Sequence, residues 1–174
     1  MKKTWILPAV LSLSLSGCFW PFSGGKSHVG QAPAGSGISV EVLDPSALSG
    51  GGRVSFMPFS AGADAEAGGT LDHLSLIMLK GFSDGLSQGS RFVLVSGNDA
   101  SGADIVIRGH IEELRTQGHL KKMASITVRG DARLSKNESV AAVIYARQKV
   151  PAVAGKMDQA AYDIGSAIAE KLSE

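Results

Sequence analysis

Hydrophobic and polar positions change period several times along the chain, and each change marks an element. Leu71, Leu74, Met78, Phe82 and Leu86 recur at spacings of three and four, one apolar stripe on a helix of about five turns. Thr70 stands where an N-cap belongs and Gly89 where a C-terminal cap belongs. Before this helix, Ile38 to Leu43 alternates as a short strand, and Arg53 to Phe59 reads as a second. Ser60 to Gly69 is built of small residues and reads as a loop. After the helix, Arg91 to Ser96 is a short apolar strand. Asp104 to Arg115 sets Ile105, Ile107 and Ile111 on one face and charged residues largely on the other. Met123 to Ser135 alternates Ala124, Ile126, Val128, Ala132 and Leu134 with Ser125, Thr127, Arg129, Asp131 and Arg133. Lys136-Asn137-Glu138 turns into a half-buried strand over Ser139 to Val150. Gly155 then precedes a helix with Met157, Ala160, Ala161, Ile164, Ala167, Ile168 and Leu172 on one face.

The predicted order is β-α-β-β-β-β-α, an α/β (α+β) two-layer sandwich. A mixed sheet of four to five strands is expected, with two amphipathic helices covering one face. The first strand-helix-strand crossover predicts a parallel pair, and the later short turns predict an antiparallel meander.

The first residues follow another pattern. Lys2 and Lys3 precede an apolar run from Trp5 to Leu15, broken by Pro8 and diluted by Ser12 and Ser14. A spanning helix needs roughly 20 apolar residues, so this run is too short to cross a membrane. A basic start, a short apolar run and small residues at a cut site describe a signal peptide. From Ser23 to Gly37 no hydrophobic period survives, and the expected state is a flexible tether with a reach of about 20 Å. Three segments follow: a signal peptide at 1–17, a tether at 18–37 and a domain at 38–174.

The formal net charge is +1, and loss of Lys2 and Lys3 leaves 15 basic against 16 acidic residues. Such a balance supplies no concentrated basic face for nucleic acid. The chain holds a single cysteine, Cys18, which excludes an internal disulfide and a thiolate pair for metal.

Leu15-Ser16-Gly17-Cys18 resembles the lipobox of bacterial lipoproteins. The resemblance implies cleavage between Gly17 and Cys18, then a diacylglyceryl thioether and an N-acyl chain on Cys18. One acyl chain binds a membrane only reversibly, whereas several anchor stably. Phe19 follows the cysteine, where an Asp favours inner-membrane retention in enterobacterial lipoproteins, so the resemblance implies an outer-membrane address with the domain in the periplasm. Phe19, Trp20 and Phe22 fit either the headgroup level beside such an anchor or packing on the domain.

The strand ending in Pro58-Phe59, the amphipathic helix, "RFVLVS", "ADIVIRGHIEEL", the polar-alternating hairpin and the last helix form a recognisable succession. It resembles a group of periplasmic lipoprotein domains. That group includes the curli-secretion lipoprotein, the lipoprotein activators of penicillin-binding proteins and the amino-terminal domain of TolB. The resemblance spans Arg53 to Leu172 and implies a role in interaction and assembly.

Gly81-Phe82-Ser83-Asp84-Gly85 has the G-x-S-x-G spacing of a hydrolase elbow. That chemistry needs the serine on a strained strand-to-helix turn, whereas Ser83 lies within the helical stripe. Gly81, Gly85 and Gly89 instead recur every four residues along one edge of the stripe. Each glycine inside a helix costs up to ~1 kcal/mol against alanine. Close approach of another backbone offsets that cost, either within the domain or at a subunit contact. His28, His73, His110 and His119 form no metal-binding spacing. No catalytic residue, metal or cofactor is expected beyond the lipid on Cys18. The expected function is a nonenzymatic, outer-membrane-anchored lipoprotein that binds an envelope protein. The alternatives are a homo-oligomeric, secretion-associated lipoprotein, and a small-ligand-binding or serine hydrolase domain using Ser83. The polar faces of 104–115 and 123–135 are the expected exposed sheet surface.

Overall fold

A computed structural model describes residues 36–64, 69–87, 89–95, 100–117 and 123–174. Gly17, Cys18, His28, His119 and nearly all of the expected tether lie outside the described residues. The elements run β1 (Gly37–Val42), α1 (Pro45–Ser49), β2 (Gly52–Phe56), β3 (Ser60–Asp64), α2 (Gly69–Leu86), β4 (Phe92–Leu94), β5 (Ile105–Gln117), β6 (Met123–Leu134), β7 (Val140–Pro151) and α3 (Lys156–Ser173).

The fold is mixed α/β, and its sheet is larger than the four to five strands expected. Among the described residues seven strands join one sheet in the order β1-β7-β6-β5-β2-β4, with β3 also on β5. β2 lies parallel to β4 across the α2 crossover, and β5, β6 and β7 form an antiparallel meander. The unexpected strand is β3. Its Ser-Ala-Gly-Ala-Asp sequence has no apolar alternation to announce it, hence the expected loop. It is a strand because β2 covers only Ile105 to Ile107 of β5, leaving later donors and acceptors on that edge for β3 to take. Gly62 permits the approach, since a Cβ there would stand 2.8 Å from the Glu112 Cα.

The short helix α1 was also not expected. Asp44 caps it by accepting the Ala47 N–H at 3.0 Å, and Pro45 supplies its first-turn φ.

The apolar stripe of α2 is buried in full: Leu71, Leu74, Met78, Phe82 and Leu86. With Ala160, Ala161, Ile164, Ile168 and Leu172 of α3 it covers one face of the sheet, against Ile105, Ile107, Ile111, Ile126, Val128 and Ile144. Phe56 stacks on Phe59 at 5.0 Å and meets Phe82 at 4.9 Å. The chain leaves β2 through Met57-Pro58-Phe59, where the Phe59 N–H donates to the buried Ser75 hydroxyl at 2.7 Å.

β3 and β7 both run parallel to β5 in direction, so the helices that follow them return the same way. Contacts from His73–Asp158 through Gly81–Tyr162 to Ser90–Ser173 show α2 and α3 lying parallel.

Candidate interaction surface

The sheet face turned away from the helices carries the polar half of the alternation. Arg108 stands opposite Asp131, Arg129 opposite Tyr145, and Thr127 between Glu113 and Arg147. This is the surface expected from the polar faces of 104–115 and 123–135, extended by β7.

A bulge in β5 supplies its carboxylates. Ile111 and Leu114 both pack toward the core, three residues apart where a regular strand would need two or four. The register shift between Ile111 and Glu113 inserts one residue, as a bulge does. Consecutive Glu112 and Glu113 thereby share the polar face. Glu112 takes Arg129 at 3.1 Å and His110 at 3.5 Å, and Glu113 lies 3.9 Å from Arg147. Neither glutamate is freely solvated: each is held in an ion pair on this face. Asp131 accepts two hydrogen bonds of 2.9 Å from Arg133 and faces Arg108 at 3.6 Å. Arg129 also lies over the Tyr145 ring, 5.9 Å from its centre. Partly exposed pairs of this kind contribute about 0–1 kcal/mol each. The network therefore contributes less to stability than to a fixed charge pattern that a complementary partner can read.

Two residues of this face depart from the expected exposure. Ser125 and Thr127 are buried, 1% and 4% exposed. Arg147 and Glu113 reach toward each other across Thr127, shutting water out. The Ser125 and Thr127 hydroxyls and the Arg147 Nε are buried without a hydrogen-bond partner. An orphaned buried polar group costs about 1–3 kcal/mol, and replacing it by an apolar group of the same shape removes that cost. Thr127→Val is therefore expected to stabilise the domain by about 0.5–2 kcal/mol. Urea denaturation measures this, and a lower midpoint would show that the hydroxyl has a partner.

Gly81 and Gly85 face α3. A Cβ on Gly81 would overlap the Tyr162 carbonyl oxygen, and one on Gly85 would stand 2.8 Å from the Ala169 Cβ. A Cβ on Gly89 would meet nothing within 4 Å, and the residue adopts φ +101°, which glycine accommodates without strain. Sequence reading missed the reciprocal residue, Gly165, which fits against the Met78 carbonyl. Its signal was present as Ala161-Gly165-Ala169, small residues every four on α3.

Beside this seam Lys80 donates to Asp84 at 2.6 Å, and the Tyr162 hydroxyl donates to the same oxygen at 3.0 Å. The Lys80 hydrogen bond, then that of Tyr162, holds the Asp84 carboxyl below the usual carboxylate range. A depressed carboxyl contributes stability above its unfolded pKa and loses it as pH falls through its folded pKa. Acid below the usual carboxylate range should thus release the Asp84 clasp between α2 and α3. Asp84→Asn is expected to be less stable near neutrality and to show a smaller loss in acid. A circular-dichroism titration with the same acid limb in both proteins would contradict this.

Ser83 lies inside α2, not on a strand-to-helix turn, so the elbow geometry is not met. His73, ten residues earlier on that helix, pairs with Asp158 of α3 at 3.2 Å. Among the described residues no group of three or more His, Cys, Asp or Glu side chains is placed to hold a metal ion. None of the described helices is long and apolar enough to cross a membrane. A groove of about 350 Å³ between the C-terminal ends of α2 and α3 is lined by Gly85, Gly89, Ser90, Ser166, Glu170 and neighbours. Within it the Ser90 and Ser173 hydroxyls lie 2.8 Å apart, and Ser173 donates to the Ala169 carbonyl at 2.8 Å.

No protein-family model and no curated protein matches the sequence. Solved structures do match the fold. One is the PelC dodecamer from Paraburkholderia phytofirmans, with a TM-score of 0.59 and 16% identity over 79% of this chain and 98% of that one. A variant of the same dodecamer in another crystal form gives 0.56 and 15% over the same shares. A Xanthomonas campestris protein of family DUF330 gives 0.53 and 12%, over 71% of this chain and 84% of that one. These matches do not bear out the particular group that the element order resembles, the curli-secretion, penicillin-binding-protein-activator and TolB domains. At such identities the likeness shows a shared fold: the domain is built like the PelC protomer.

Proposed function

We propose that this chain is a lipoprotein of the bacterial cell envelope, anchored through acyl chains on Cys18 in the outer membrane, whose periplasmic domain works as a homo-oligomer. The observation that carries this reading is the fold match over 98% of a protomer whose structure is a dodecamer. Sheet edges supply a physical route. Among the described residues β1 pairs only with β7 and β4 only with β2, so each sheet end keeps unpaired backbone donors and acceptors. Joining two unlike edges is a head-to-tail contact, which closes into a ring when the rotation allows. The domain acts without catalysis and presents the charged face around Glu112, Arg129 and Asp131 to an envelope protein. Interaction and assembly also match the role implied by the curli-secretion and activator resemblance.

The first test is the mass of the lipidated protein in mild detergent, measured by light scattering. A defined multiple of the protomer is expected, and a monomer at every concentration, in detergent and in reconstituted bilayers, overturns the oligomer. Fractionation of Cys18→Ala tests the anchor separately. It should leave the membrane fraction, and retention there would overturn lipid attachment.

A further inference from the structure

The segment joining β7 to α3 does not resemble an ordinary surface loop. Pro151, Ala152, Val153 and Ala154 are consecutive, apolar and all exposed, with Val153 at 63%. Runs of three or four exposed apolar residues are unfavourable in water unless they have a use. The run is held in shape: the Val153 N–H donates to the Pro151 carbonyl at 2.8 Å and the Lys156 N–H to the Val153 carbonyl at 3.1 Å. Gly155, at φ +76°, then starts α3. Beside the loop, Met123 pairs with Pro151 across β6 and β7 and is itself 41% exposed. Lys149 and Lys156 flank the run and are exposed. Among the described residues near this end, Glu113 faces Arg147 and Asp158 faces His73, while Asp72 is exposed.

The chain enters the domain at this same end. Gly37 pairs with Arg147, and the Lys149 N–H donates to the Ser36 hydroxyl at 3.1 Å. Seventeen residues separate Ser36 from Cys18, with an expected reach of about 20 Å. The radius of gyration of a domain of this size is about 14 Å. A tether whose mean reach is comparable to the domain radius biases the end it enters toward the bilayer. At the opposite end the Lys136-Asn137-Glu138 turn is polar and exposed, and Leu43 and Val93 are exposed there singly rather than as a consecutive run.

We infer that the Pro151–Ala154 loop, with Met123 beside it, dips into the lipid surface that holds Cys18, while Lys149 and Lys156 lie at the headgroups. Apolar side chains at the acyl boundary with lysines at the phosphates are the arrangement of a shallow interfacial contact. Anionic headgroups strengthen the lysine part. Such a contact orients the domain, giving every copy in an oligomer the same face toward the membrane. This inference rests on the lipid anchor proposed above.

The test uses the lipidated full chain, in which Cys18 is acylated and an added cysteine is the one free thiol. Val153→Cys and, as control, Lys136→Cys carry a nitroxide label. Each protein is reconstituted into vesicles of phosphatidylethanolamine and phosphatidylglycerol, then floated and probed for collision with oxygen and with a polar nickel complex. The expected result is co-flotation of both, with nickel accessibility at 153 several-fold below that at 136 and oxygen accessibility raised. Co-flotation with equal, water-like accessibility at both positions overturns the loop contact and leaves the anchor intact. A label at 153 shielded from oxygen and nickel alike shows that a second copy covers the loop, and overturns the lipid assignment. Failure to float shows that the anchor reading itself is wrong, and the inference falls with it.

Discussion

Gly165→Ala should destabilise the domain by about 1–2 kcal/mol net, although alanine is the better helix former. The intrinsic gain from replacing a mid-helix glycine is about 1 kcal/mol. Against it stands a steric conflict with no soft partner. The added methyl would overlap the Met78 carbonyl oxygen and stand 2.9 Å from the Phe82 nitrogen. Both atoms belong to the α2 backbone, which cannot rotate aside as a side chain would. The helices must move apart, loosening the packing of Phe82 and Met78, both fully buried. Overpacking of this kind costs about 1–3 kcal/mol and occasionally more, enough to reverse the propensity gain. Gly50→Ala provides the contrast, because Gly50 has φ −76° and nothing within 4 Å of the site of a Cβ. That variant should change stability by under about 0.5 kcal/mol. Guanidinium denaturation of both decides the matter, and a Gly165→Ala protein as stable as the parent would refute the close helix crossing.

Phe56→Ala carries the largest stability effect expected, about 3–5 kcal/mol. Phe56 is fully buried on β2, parallel to the Phe59 ring at an interplanar angle of 3° and tilted at 38° against Phe82. Truncation removes the transfer free energy of a ring and leaves a cavity walled by a strand and a helix, which collapse poorly. A natural domain has about 5–15 kcal/mol in hand, so this one change consumes much of its stability. Phe56→Leu should lose clearly less, since most of the volume is kept. Denaturation midpoints for the two variants measure the difference, and a loss below about 1 kcal/mol for Phe56→Ala would mean that the three-ring cluster is not the centre of the core.

The helices and the meander were legible because their signals are local. Leu71 to Leu86 and Met157 to Leu172 repeat at helical spacing, and β6 alternates over its whole length. Each pattern needs only its own residues to be read. The three-residue step from Ile111 to Leu114 was also visible, and it marks the bulge. Its meaning was not, since a break in a period of two reads equally well as the end of a strand. β3 escaped for the opposite reason. Ser-Ala-Gly-Ala-Asp has no period, and it pairs because β2 ends early on β5 and exposes free backbone groups beside it.

Cys18, the short apolar run before it and the amphipathic elements follow from the sequence alone, because thiol chemistry, segment length and hydrophobic period belong to the chain itself. The tertiary structure decided which groups meet across the fold. It set Glu112 against Arg129 and Glu113 against Arg147, closed the side chains over Thr127, and laid α2 parallel to α3 so that Gly81 and Gly165 each face a carbonyl of the other helix. It also brought the exposed Val153 loop to the end where the chain enters from Cys18. Contacts of this kind depend on which backbone lies alongside, and strand pairing over distances of a hundred residues sets that.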